Sequence, residues 1–213
     1  MGSESVPLSG RRAEAVRNNT RILESAKAVF VDNPAAPIAA VAEHAGVGIS
    51  ALYRRYPSKE DLLRKLCADG LKIYVDAVER AVDDQGDPWQ AFVTFMQTIV
   101  DANSLALTVK LAGTFTPTED LYRDSQRGQQ LNQQLVERTK AAGVLREDID
   151  VNDMTFIFEQ LTSVKLGDET RTRALRRRYL ALFLQAMHTG GGDTPLPGPA
   201  PSWQEVAQRW EPK

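Results

Sequence analysis

The chain has 213 residues, of which 42% are hydrophobic, enough for one larger domain or for a small domain beside a medium one. It contains no run of 18 or more apolar residues, which argues against a membrane-spanning helix, and its opening Met1–Ser5 does not read as a signal peptide. The net charge of −2 hides an asymmetry: residues 1–66 carry 10 Lys/Arg against 7 Asp/Glu, and residues 67–213 carry 16 against 21. A basic end on an acidic body suggests a segment that faces a polyanion. The single cysteine, Cys67, excludes an internal disulfide, so a reducing cytoplasm is the expected location.

Apolar residues recur at helical spacing throughout, and no alternating strand is seen, so the chain is expected to be all-α. Residues 1–10 are expected to form a disordered arm. A first helix is predicted over Ala13–Asp32, with Val16, Ile22, Leu23, Ala26, Val29 and Phe30 as its apolar face, stopped by Asn33-Pro34. Pro37 opens a short second helix, for its missing N–H has no helical partner at that position anyway. Gly46 ends this helix, because glycine adopts the left-handed backbone most easily. A third short helix runs from Ile49 to Tyr56 and is closed by Pro57. Ser58, followed three residues later by Asp61, forms a capping box that opens a long helix to about Asp84.

Asp87-Pro88 starts a helix from Trp89 to about Asn103, and a short helix is expected over Leu105–Leu111 before a loop at Gly113–Thr118. Glu119–Ala142 reads as a long polar helix rich in Gln126, Gln129, Gln130, Gln133 and Gln134. Two more helices follow, Asn152–Leu166 and Glu169–His188. Residues 190–201 form a Gly/Pro linker, and a last helix over Trp203–Trp210 is a candidate to dock back on the body. The domain plan is a helix-turn-helix domain over 11–66, a helical body over 67–189 and a tail over 190–213.

Function is concentrated in the run from Ile38 to Tyr53. Two short helices meet there at a tight glycine turn, as in a helix-turn-helix. Small Ala42 lets the second helix of the pair cross closely, Val47 fills the angle, and Val41 and Leu52 face one small core. The outward face of the next helix offers Ile49, Ser50, Ala51, Tyr53, Arg54 and Arg55. A hydroxyl bonds base edges or phosphate, small apolar groups meet thymine methyls, and arginine reads guanine or grips phosphate. Lys59 is expected to reach the phosphate backbone, and Arg11, Arg12 and Arg17 to form a basic arm. The plainer reading of an isolated Ala-x-x-x-Gly turn is a helical hairpin with a solvated basic face.

The run Val41-Ala-Glu-His-Ala-Gly-Val47, followed by Leu52-Tyr-Arg-Arg-Tyr-Pro-Ser-Lys-Glu-Asp-Leu-Leu63, resembles the DNA-binding domain of TetR-family (tetracycline-repressor-like) regulators. The specific match covers about residues 13–66; the remainder resembles the family only in length and helical character. The resemblance implies a homodimer on a double-stranded DNA operator, most often as a repressor. It also implies a small-molecule effector in the body and a dimer interface made by the last two long helices. On that basis Met154, Phe158, Leu161, Leu175, Tyr179, Leu182, Phe183 and Ala186 are the expected interface residues. Effector binding is expected to change the spacing of the two reading heads. The chain departs from the family pattern at Pro37, where threonine is frequent, and at Gly48, where serine is frequent.

Phe92, Phe95, Met96, Ile99, Phe115, Tyr122 and Phe156 are the candidate lining of a ligand cavity, with core packing as the plainer reading of each. The basic run Arg171–Arg178 is expected to be a solvated or ion-paired face. His44 and His188 are far apart in sequence, and neither a metal-ligand cluster nor a phosphate loop is seen, so no catalytic residue, metal or cofactor is expected. The other classes in play are an enzyme, which would turn a substrate over, and a helical adaptor or small-molecule-binding protein without DNA binding.

Overall fold

The computed structural model describes residues 10–102, 111, 113–192 and 194–208, with the side chains of all of these except Arg11 and Arg12. Residues 1–9 of the arm expected over 1–10 and most of the helix expected over 105–111 lie outside the described residues, while Gly10 belongs to the first helix and not to the arm. The described helices are α1 (Gly10–Asp32), α2 (Ile38–Ala45), α3 (Ile49–Arg55), α4 (Lys59–Asp83), α5 (Pro88–Ala102), α6 (Glu119–Ala141), α7 (Val151–Ser163), α8 (Glu169–Met187) and α9 (Trp203–Gln208). Among the described residues there is no strand, only an isolated antiparallel bridge between Leu145 and His188. The chain divides into two compact units, a head ending at Leu66 and a body beginning at Cys67, so the division falls within α4. No described helix is long and apolar enough to cross a membrane.

In the head, Ile22, Ala26 and Phe30 of α1, Val41, Ala42 and Ala45 of α2, Leu52 of α3 and Leu62, Leu63 and Leu66 of α4 are all buried. Val16, expected on the apolar face of α1, is exposed, so the buried stripe begins later along the helix, at Ile22. Ser58 caps α4: its Oγ accepts from the Asp61 N–H at 3.0 Å and donates to Asp61 Oδ2 at 2.7 Å.

The body is built around α5. Asp87 Oδ1 accepts from the Trp89 N–H at 2.8 Å, and Pro88 occupies the first turn. Phe92, Phe95, Met96 and Ile99 project from α5 into a core shared with Val78 of α4, Leu135 of α6, Met154 and Phe158 of α7, and Leu180 and Leu184 of α8. The Phe95 ring meets those of Tyr74 and Phe158 edge-on, at 5.5 and 6.2 Å. Burying each large side chain contributes roughly 2–3 kcal/mol.

Side-chain caps fix the later helices: Thr118 for α6, Asp168 for α8, and for α7 a full capping box of Asp150 with Asp153. α7 ends at Ser163, three residues before the expected Leu166. Arg176 explains the early stop. It is buried, not part of a solvated face, and its guanidinium donates to the carbonyls of Thr162 and Val164 at 3.2 and 3.3 Å. The neighbouring Arg177 forms a bidentate pair with Asp101, both bonds at 2.7 Å.

The tail is tied to the body. Asp148 pairs with Arg146 at 2.7 Å and accepts from the Leu196 N–H at 2.9 Å, contacts that hold its carboxyl well below the usual range. Asn152 donates to the Pro201 carbonyl at 2.8 Å, Glu205 accepts from Ser202, and Val206 of α9 is buried.

Candidate nucleic-acid interface

The geometry of the head follows from one backbone conformation. Gly46 stands at φ 61° and ψ 38°, the left-handed region where an L side chain is strained. There its N–H reaches the Glu43 carbonyl at 3.0 Å, and the Val47 N–H reaches the Ala42 carbonyl, also at 3.0 Å. Arg21 of α1 closes the turn from the other side, donating to the carbonyls of Ala45 and Gly46. A Cβ on Gly46 would stand 3.0 Å from the Arg21 guanidinium, which could give way, so the torsion is what favours glycine here.

With the turn fixed, Leu52 is fully buried and the opposite face of α3 stands in solvent. Ile49 is 40% exposed and Tyr53 45%, large values for such apolar side chains in a head this well packed. Ser50, Arg54 and Arg55 are exposed beside them and Ala51 is half-buried, while Arg17 is exposed on α1. These placements bring Ile49, Ser50, Tyr53 and Arg54 onto one surface. A groove of about 640 Å³ between α1 and α3, lined by Asn18, Asn19, Thr20, Arg54 and Arg55 among others, flanks it. Arg12 lies in α1, and its side chain is outside the described residues.

Two residues that sequence reasoning missed orient this surface. Asn19 Oδ1 accepts from Arg55 Nε at 3.0 Å and from the Tyr56 hydroxyl at 2.8 Å, pinning the C-terminal end of α3 to α1. Arg21 is the other. Both act across more than 20 residues of chain, and nothing local marks either one.

Lys59, the expected phosphate contact, also has a task within the head. Its ammonium donates to the carbonyls of Pro34 and Ala36 at 2.9 and 2.8 Å and lies 5.1 Å from the centre of the Phe30 ring. Two of its three donors therefore hold the α1–α2 loop against the start of α4. Partial burial there lowers its pKa.

In the body, the candidate cavity residues separate. Phe92, Phe95, Met96 and Ile99 are fully buried in the core, Phe156 is half-buried, and Phe115 and Tyr122 line an open space among the described residues. The expected interface residues separate too. Met154, Phe158, Leu161 and Leu175 are buried within the chain and cannot offer a surface to a second one. Tyr179 and Leu182 are 42% and 52% exposed, Ala186 is exposed and Phe183 is half-buried. A periodic apolar stripe marks burial without saying against what, which is why sequence reasoning merged the two groups.

Residues 22–66 match the model of the tetR family of bacterial regulatory proteins, and residues 87–189 match that of the SbtR-like transcriptional regulator C-terminal domain. The two matches together take in more than half of the chain. The chain belongs to the TetR family.

It is 33% identical, over 93 residues, to the HTH-type transcriptional repressor LfrR of Mycolicibacterium smegmatis. That match takes in 44% of this chain and 49% of LfrR, so it spans about half the length of the curated relative. Among solved structures, LfrR from Mycobacterium smegmatis in complex with proflavine aligns with a TM-score of 0.56 at 23% identity, covering 85% of this chain and 99% of that one. The TetR-family regulator PfmR from Thermus thermophilus aligns with the same TM-score at 24% identity, covering 78% and 97%. At these identities the structural likeness establishes the fold.

The turn and the Lys59 clamp make a joint prediction about the head. Gly46→Ala should destabilise it by about 1–2 kcal/mol through left-handed strain, and Lys59→Met by about 2 kcal/mol through two lost charged hydrogen bonds. Amide hydrogen exchange over residues 22–66 should then speed up in both variants while the body exchanges as before. Unchanged protection in the head would refute the assignment.

Proposed function

We propose that the chain is a transcriptional repressor that binds a palindromic operator as a homodimer and is released by a small molecule. The observation that carries the reading is the outer face of α3. Ile49, Ser50, Tyr53 and Arg54 stand in solvent there, on a helix whose inner side is fixed by Leu52, Asn19 and the Gly46 turn. A helix presented in this way fits the major groove of B-DNA. Ser50 and Tyr53 carry hydroxyls for base edges or phosphate, Ile49 and Ala51 suit thymine methyls, and Arg54 and Arg55 suit guanine or phosphate. Arg17, with Arg12 on the same helix, supplies flanking charge.

LfrR is described as a repressor, and its crystallised form holds proflavine. Both descriptions favour repression and effector control here as well. For the dimer, support comes from α8. Tyr179, Leu182, Phe183 and Ala186 repeat at helical spacing along a face that the chain leaves largely uncovered. A second copy of that stripe is a self-complementary partner, as two-fold symmetry requires.

Measuring operator affinity against salt tests the DNA contacts. Each phosphate contact contributes about 0.9 to the slope of log K against log salt. Arg17→Ala should therefore weaken all sequences alike and flatten the slope by about 0.9. Ser50→Ala or Tyr53→Ala should instead relax sequence preference and leave the slope nearly intact. Salt slopes identical to wild type in every basic-residue variant, or no DNA binding at all, would favour the adaptor reading.

The dimer has its own test. Leu182→Glu places a charge in the proposed interface but stands in solvent within one chain, so the protein should fold and sediment as a monomer with most operator affinity lost. A wild-type monomer at micromolar concentration that still binds operator tightly would contradict the dimer.

A further inference from the structure

The body holds a partly open pocket of about 120 Å³ that neither the core nor the α8 stripe accounts for. Cys67 and Leu71 of α4 form one wall, Phe115 and Pro117 a second, and Leu121 and Ser125 of α6 a third. The fourth comes from the tail, where Trp203 and Ala207 of α9 close the space. Both family matches stop at or before residue 189, so this last wall lies outside the matched regions.

The lining is apolar almost throughout, which makes the space a poor home for water. Its polar member inside the walls is Ser125, whose hydroxyl makes no hydrogen bond among the described residues. The Cys67 thiol is buried and pushed up to about 12, so it stays protonated at neutral pH and behaves as a small hydrophobe. Among the described residues the walls therefore offer shape, apolar contact, the Ser125 hydroxyl inside and the Tyr122 hydroxyl at the rim, and no charge.

Size narrows the occupant further. A protein cavity of roughly 150 Å³ with apolar walls holds benzene, whereas pockets for drug-sized ligands run from roughly 300 Å³ upward. Exposed Tyr122 and Trp203 mark the open side, and α9 rests on little: Val206 is its one buried residue among those described. An element held so lightly opens more readily than the core does.

We propose that this cavity, walled by the C-terminal helix α9, is the effector site, and that it takes a neutral single-ring aromatic molecule whose one hydroxyl pairs with Ser125. The assignment rests on the effector-controlled reading above and adds the location and the ligand class. Opening of α9 is the entry route.

The test uses the full-length protein without DNA. Phenol, toluene and benzoate are titrated calorimetrically, with Trp203 fluorescence as a second readout. Phenol should bind saturably, one per chain, roughly fivefold more tightly than toluene as expected for one hydrogen bond, and benzoate should not bind. Ser125→Phe, which fills the space, should weaken phenol at least tenfold with helical circular dichroism unchanged. Should Ser125→Phe fail to fold, Ser125→Ala serves instead: phenol and toluene should then bind equally. No saturable phenol binding in wild type overturns the proposal, and so does phenol binding unaltered by Ser125→Phe. So does a phenol preference that survives Ser125→Ala. Because no DNA is present, a negative result leaves the operator reading standing, and loss of the operator reading leaves a positive titration standing.

Discussion

The left-handed backbone at Gly46, clamped by Arg21, is the constraint on which the exposed face of α3 depends. Only with that torsion does α3 leave α2 at an angle that sends Leu52 into the core and leaves Ser50 and Tyr53 outside. The rest of the head holds the same arrangement from other directions. Asn19 fastens the end of α3, and Lys59 fastens the loop that feeds α2. These are directional polar ties, so they specify orientation in a way that apolar packing alone does not. A head ordered before it meets DNA gives up less conformational freedom on binding, which favours affinity.

Much of the architecture was legible because its signals are local. Asp87-Pro88, Asp150 and Asp168 at helix starts, and Gly46 and Gly143 past helix ends, can be read from a few neighbouring residues, and the structure places the boundaries within about three residues of expectation. The outward face of α3 was legible for the same reason, since a seven-residue helix with one buried leucine has one obvious outside.

What escaped the sequence depends on distant partners. Lys59 read only as a phosphate ligand because it is basic and opens a helix; its ties to the Pro34 and Ala36 carbonyls are made by the fold. Arg176 sat in a basic run and turned out to be the buried C-terminal tie of α7. Met154, Phe158 and Leu182 carry the same periodic signal, yet the first two fill the core and the third faces solvent. The cavity residues were legible only in part for a related reason. Aromatic content pointed to α5, whose side chains fill the core, whereas Phe115 and Tyr122 line a space where α6 meets the tail, which depends on how α9 docks.

The central claim is that the exposed face of α3 reads DNA sequence, and selection from a random-sequence duplex library tests it most directly. Wild-type protein should enrich a palindrome whose half-sites are centred about 10 base pairs, one helical turn, or a multiple of that apart. Protein carrying Ser50→Ala with Tyr53→Ala should retain salt-sensitive binding and lose the consensus within each half-site. Failure of the wild type to enrich any sequence, or recovery of the same consensus by the double variant, would contradict the account.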